Sequence, residues 1–298
     1  MMSIGDIIRT NREQQKISQE ELAYGICSTS NLSRIENGIQ IPGRATYEAL
    51  MERLGADPHL FPSFRNDSEV EAFRLKHKIA KLIFAGDFKE AESLLDKLDS
   101  GQKLENVYMQ YIQYVRTIIF ARKGGDPREV SYRLKQIAGS SIKDLSPKSI
   151  LKQVISIDDL NVLNSLAISY YNIGEHDKGI DILYALKEYI ERKVVDDEGI
   201  SPMYTIILYN LSKWIGLDSQ YKEVIRLCDI GIPRCVDYGA YVCFAGLLLN
   251  KGYALVMLGK QDESRKYLQE SYYINRARGE LSECEIIKGF ANEHGIVI

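Results

Sequence analysis

The sequence predicts an all-α chain, with a short helical head followed by a long body of paired helices. Three observations point there. Apolar residues recur at three- and four-residue steps, as in Ile79, Leu82 and Ile83 or Leu163, Leu166, Ala167 and Tyr170, and no sustained alternation of the strand kind interrupts them. The seven prolines, at 42, 58, 62, 127, 147, 202 and 233, fall at seams, each a natural helix boundary or kink. Finally, one short phrase returns along the chain in degenerate form.

The 298 residues are about twice a usual domain, so two domains, or one domain and a repeat array, are expected. With 45% hydrophobic and 27% charged residues the chain has material for a core and no signature of disorder. A formal charge of −3 supplies no global basic field, so any contact with nucleic acid must come from a local surface. The five cysteines (27, 228, 235, 243 and 284) are widely spaced and hold no CxxC pair, which argues against a disulfide framework or a zinc site and for a reducing compartment. Asp6 and Arg9 come before any secretory apolar stretch could form. The longest uncharged run, Leu160 to Gly174, is 15 residues, short of the roughly 20 that span a bilayer. The expectation is a soluble cytoplasmic chain with no membrane partner.

In the head, Ile4, Ile7 and Ile8 share one face of a first helix over 3–15. Ser18 then opens SQEEL, where Ser18 and Glu21 have the spacing of a capping box, and Leu22, Ala23 and Ile26 give a short second helix an inner face. The string STSNLSRIENG turns Leu32 and Ile35 inward and leaves Thr29, Ser30, Asn31 and Arg34 outward, with Gly38 as the stop. Such a polar edge suits phosphates and base edges, and an arginine can pair bidentately with guanine. A fourth helix, 44–54, closes the small core through Leu50 and Leu54. Seven basic residues up to position 65 face eight acidic ones, so the head is not basic overall, and Arg34 has a surface alternative in Glu36 or Glu13.

The stretch ADPHLFPSFRNDSE (56–69) reads as a joint. The expected organisation is a head at 1–62, a linker at 63–68 and a repeat body at 69–298. In the body the recurring phrases are GDFKEAESLL, GGDPREVSYRL, GEHDKGIDIL, QYKEVIRLC and GKQDESRKYL. Each follows an apolar helix and opens another, and the markers Gly86, Gly125, Gly174, Gly216 and Gly259 are spaced 39 to 49 residues apart. About five helical hairpins follow. They resemble tetratricopeptide-type repeats, whose ideal period is about 34 residues, with Ala91, Gly179 and Ser264 at the small position. One hairpin cannot bury its own apolar face, so stacked neighbours form a right-handed α-solenoid with a continuous core and a concave groove. A last helix at about 281–293 serves as a cap or an interface.

SQEELAYGICSTSNLSRIENG (18–38) resembles the phage-repressor, or Xre-type, helix-turn-helix family, with a turn one residue shorter than that family's usual Gly-Val form. The resemblance implies that Gln19 touches a phosphate or base and that Ser28, Thr29, Ser30, Asn31 and Arg34 form the edge facing DNA. Head and body together, through GICSTSNLSRIENG, NSLAISYYNIGEHDKGIDIL and LYNLSKWIGLDSQYKE, resemble the peptide-responsive transcription factors of the PlcR and Rgg group. That resemblance implies a cytoplasmic homodimer on a palindromic operator in double-stranded DNA, regulated by a short signalling peptide in the concave groove. An asparagine side chain offers a donor and an acceptor to one peptide unit. Asn164 and Asn210 match the group's clamp residues, Asn250 stands where another amide is expected, and Asn161 shares a face with Asn164. Tyr171, Tyr209 and Trp214 are pocket candidates or simply packing residues between helices, and Lys251 is a candidate partner for a ligand carboxylate or part of a solvated face.

The chain carries no GxxxxGK, GxGxxG, HExxH or GxSxG motif, and its four histidines have no ligand spacing. An enzyme is not expected, nor is a cofactor or a metal. The rival reading is a helical-repeat interaction or sequestration module whose head does not read DNA.

Overall fold

The computed structural model describes residues 4–56, 67–100, 106–193, 201–237 and 241–298, and every regular element among them is a helix. Four short helices make the head: α1 (Ile4–Gln14), α2 (Gln19–Ala23), α3 (Thr29–Glu36) and α4 (Arg44–Arg53). The body follows as α5 (Asp67–Ala85), α6 (Phe88–Ser100), α7 (Asn106–Arg122), α8 (Pro127–Ser141), α9 (Pro147–Ile150), α10 (Ile157–Asn172), α11 (His176–Lys193), α12 (Ser201–Leu217), α13 (Tyr221–Asp237), α14 (Tyr241–Met257), α15 (Gln261–Ala277) and α16 (Leu281–Glu293). Five hairpins are present, as the repeated phrase predicts, with α9 and α16 outside the pairing. No helix among the described residues is long and apolar enough to cross a membrane. Of the linker expected at 63–68, residues 63–66 lie outside the described residues, and Asp67 and Ser68 open α5.

The contacts divide the chain into two units, one ending at Ile182 and one beginning at Leu183 within α11. In the first unit the head does not keep a core to itself. Ile8, Leu22, Leu32, Ile35 and Leu50 belong to one buried cluster with Leu75 and Ile79 of α5, Leu95 of α6 and Ile112 and Ile119 of α7. The small position of the repeat has a direct cause: a Cβ on Gly179 would stand 2.6 Å from the Ala167 carbonyl oxygen, so α10 and α11 approach backbone to backbone. Ala91 and Ser264, at the same place in their hairpins, are fully buried. The longest spacing, from Gly125 to Gly174, is explained by α9 and its flanking loops, inserted between α8 and α10.

The second unit stacks α12 to α16 in order, with α14 also touching α12. Two markers shift from the sequence expectation. Gly216 lies inside α12, and the turn into α13 is made by Ser219, a non-glycine residue at φ 61°. Pro233 neither ends nor begins a helix, because α13 runs through it. The terminal helix falls at the expected residues and packs Ile287 and Ala291 against Val256 of α14 and Leu268 of α15. None of the five cysteines is in a disulfide, and four are buried.

Candidate nucleic-acid interface

The second helix begins with the capping box that the sequence predicts. The Glu21 amide donates to Ser18 Oγ at 3.1 Å, and the Ser18 amide donates to Glu21 Oε2 at 2.9 Å. A turn through Gly25 (φ 74°) leads to Ser28, whose hydroxyl accepts from the Asn31 amide at 3.1 Å and starts α3. Ser28 is thus the N-cap of the third helix. Leu32 and Ile35 fill the inner face, Gly38 follows the helix at φ 70°, and the outward edge remains.

On that edge Thr29, Ser30 and Arg34 are exposed, and among the described residues their side chains make no hydrogen bond or ion pair. The surface alternatives for Arg34 are taken: Glu13 pairs with Arg9 at 2.9 Å and Glu36 with Arg12 at 2.6 Å. Asn31 is half-buried, and its Oδ1 has no hydrogen-bond partner among the described residues. Under this edge lies a polar clamp that local sequence patterns do not reveal. Glu36, 3% exposed, accepts from Arg12 Nε and Nη2 at 2.6 and 2.9 Å and from Gln19 Nε2 at 2.7 Å. A buried carboxylate is tolerated only when paired and hydrogen-bonded. The hydrogen bonds to Glu36 in turn raise the Arg12 pKa. Gln19, expected at a phosphate or base, therefore holds its amide nitrogen on Glu36 and ties the start of α2 to the end of α3.

The asparagines of the body are placed differently. Asn161 on α10 donates back to its own helix, to the Ile157 carbonyl at 3.1 Å, while Asn164 is 6% exposed and engaged within the protein. Tyr171 stacks on His176 with ring centroids 4.2 Å apart. In the second unit Asn210 is half-buried and engaged, and Trp214 is buried. Asn250 donates to Ser212 Oγ at 2.9 Å and more weakly to the Tyr209 carbonyl at 3.4 Å, bridging α14 to α12. Tyr209 packs where Gly246 leaves room, since a Cβ there would lie 2.3 Å from its ring. Lys251 is held by Asp229 at 2.5 Å and lies 4.2 Å from the centre of the Tyr267 ring. The described residues hold no group of three or more His, Cys, Asp or Glu that could bind a metal ion.

A family model described as a helix-turn-helix domain matches residues 3–64. No curated protein sequence matches the chain. Among solved structures the chain is similar to PlcR of Bacillus thuringiensis in complex with the peptide PapR7 and DNA, at 18% identity over 96% of this chain and 99% of that one, with a TM-score of 0.62. It is also similar to the apo form of the competence regulator ComR from Streptococcus vestibularis, at 17% identity over 99% of this chain and 98% of that one, TM-score 0.57. ComR from S. thermophilus in complex with DNA and its signalling peptide ComS shares 16% identity over 99% of this chain and the whole of that one, TM-score 0.53. The chain thus carries a helix-turn-helix domain and shares, over nearly its full length, the fold of these proteins.

Proposed function

We propose that the protein is a sequence-specific transcriptional regulator whose DNA binding is controlled by a short signalling peptide held by the repeat helices. One observation carries this reading: the outward edge of α3 presents Thr29, Ser30 and Arg34, exposed and without hydrogen-bond or ion-pair partners among the described residues, on a helix-turn-helix scaffold. Its fold is shared with chains whose crystals contain both DNA and a peptide. In this reading α3 enters the major groove, Arg34 pairs with a base edge, and Thr29, Ser30 and Asn31 contact bases or phosphates. Ser28 and Gln19 hold the helix in place, and Gln19 keeps the second N–H of its amide for a phosphate oxygen. Asn164 and Asn210, with Asn161, Tyr171 and Asn250, are the proposed contacts to the peptide. The protein works in the cytoplasm as a homodimer, matching an inverted repeat with paired heads, and carries out no catalysis.

The test is a competition gel shift with the purified full chain and DNA from its own upstream region. Salt-dependent retardation that prefers an inverted repeat supports the reading. No retardation at low salt, with or without peptide, favours the rival in which the body sequesters a partner.

A further inference from the structure

We propose that Asp159, a residue of the repeat body, is a positioning residue for DNA reading: through Arg53 it holds the turn between α2 and α3 and so fixes the aim of α3. The inference rests on the DNA-reading function proposed above. Arg53, at the end of α4, is 3% exposed and reaches in two directions. Its Nη1 donates to the carbonyls of Leu22 and Tyr24 at 3.2 and 2.5 Å, and its Nη2 donates to Asp159 Oδ2 at 3.0 Å. Carbonyls at the end of a helix lack partners within it, and here a guanidinium supplies two of them.

That cation is tolerable in the interior only with a counter-charge. Asp159 is 0% exposed and itself fully gripped. It accepts from the Ser156 amide and hydroxyl, both at 2.9 Å, from Ser141 Oγ at 2.5 Å and from Gln110 Nε2 at 3.1 Å. Burial disfavours its charge, but Arg53, Ser141, the Ser156 amide and Gln110 outweigh it and lower the pKa.

The turn meets the body at two further points. A Cβ on Gly25 would stand 2.6 Å from Ser141 Cα, so the turn lies directly on the end of α8. Lys143 pairs with Glu20 at 3.1 Å and lies 4.9 Å from the centre of the Tyr24 ring. With these contacts in place Thr29, Ser30 and Arg34 remain exposed. The docked body therefore braces the head without covering its reading edge.

The experiment is a fluorescence anisotropy titration of the full chain with an inverted-repeat duplex selected from random DNA and with a scrambled duplex of equal length, at one salt concentration. Asp159→Asn keeps the shape and removes the charge, while Arg53→Lys keeps the charge but cannot reach the carbonyls and the carboxylate together. Each is expected to weaken selected-duplex binding about tenfold while scrambled-duplex binding stays within about twofold. Asp159→Glu is expected to recover part of the preference. Simple loss of folded protein would lower both affinities alike and leave their ratio unmoved.

The proposal is overturned if the ratio is unchanged in folded variants, or if selected-duplex affinity rises. Should both variants fail to fold, Lys143→Ala decides on the protein surface: a ratio about two- to threefold lower supports the brace, and an unchanged ratio removes it. A wild-type chain with no preference between the duplexes would instead defeat the DNA-reading function itself.

Discussion

The outward edge of α3 and the asparagine face of α10 are both polar strips on amphipathic helices, yet their side chains are in opposite states. Thr29, Ser30 and Arg34 stand in solvent with no partner among the described residues. Asn161 bonds back to its own helix, and Asn164 is buried and engaged. An exposed edge meets a ligand by displacing water and ordering its own side chains, whereas an engaged amide must exchange one hydrogen bond for another. In the proposed reading the recognising edge of the head is already exposed before it meets DNA. Each asparagine of the body would, in the same reading, add only the small net gain of a swapped bond, about 0.5–1.5 kcal/mol.

The largest expected effect lies in the scaffold beneath the α3 edge. A Cβ on Gly5 would stand 2.1 Å from the Ile35 carbonyl oxygen, a backbone atom that cannot step aside. Gly5→Val is expected to destabilise the head by about 3 kcal/mol and abolish preferred DNA binding, as thermal melts and gel shifts would show. Next, Arg34→Ala removes no hydrogen bond or ion pair among the described residues, so the melting temperature should hold while preference for the selected sequence falls by about 1–3 kcal/mol. Full preference retained in a competition assay would remove Arg34 from the reading edge.

On the other side of the comparison, Asn164→Ala and Asn210→Ala, made separately, are each expected to weaken peptide binding by about 0.5–1.5 kcal/mol in calorimetry while retardation of DNA in the absence of peptide stays as in the wild type. Because Asn250 already bridges to Ser212, Asn250→Ala should in addition lower the melting temperature. A lower melting temperature with undiminished peptide affinity would leave it a helix-bridging residue only.

The effect confined to a pH window concerns Glu52 on α4. Burial first, then the nearby Asp158, pushes its carboxyl from the ordinary 4.5 up to about 8; Lys76 opposes this, and Glu48 and Asp159 add to it. The folded chain thus holds a proton that the unfolded chain releases. Stability from this group is complete below about pH 4.5 and declines as pH rises toward 8. Glu52→Gln should melt with the wild type at pH 5 and above it at pH 8, and parallel curves across that window would show that Glu52 does not hold this proton.

Much of the head could be read directly, because its signals are local. The Ser18 and Glu21 pairing, the inward Leu32 and Ile35 and the left-handed Gly38 each depend on residues a few steps apart. The hairpins and their small positions were visible for the same reason, since Gly179 answers to helix crossing within one repeat. What periodicity cannot carry is the pairing of distant charges. Arg12 meets Glu36 and Arg53 meets Asp159, a separation of 106 residues in the second case, and neither pattern announces its partner. The same holds for Asn250, whose partner Ser212 lies on another hairpin. Gly216 was misleading as a repeat marker because a glycine inside a helix and one at its end look alike in sequence.

Whether α3 recognises a DNA sequence is asked most directly by selection from random duplexes with the purified full chain. The expected result is enrichment of an inverted repeat with half-sites spaced by about one helical turn or a multiple of it, and loss of that enrichment in Arg34→Ala. Recovery of no common sequence, or the same repeat enriched equally by Arg34→Ala, would contradict it.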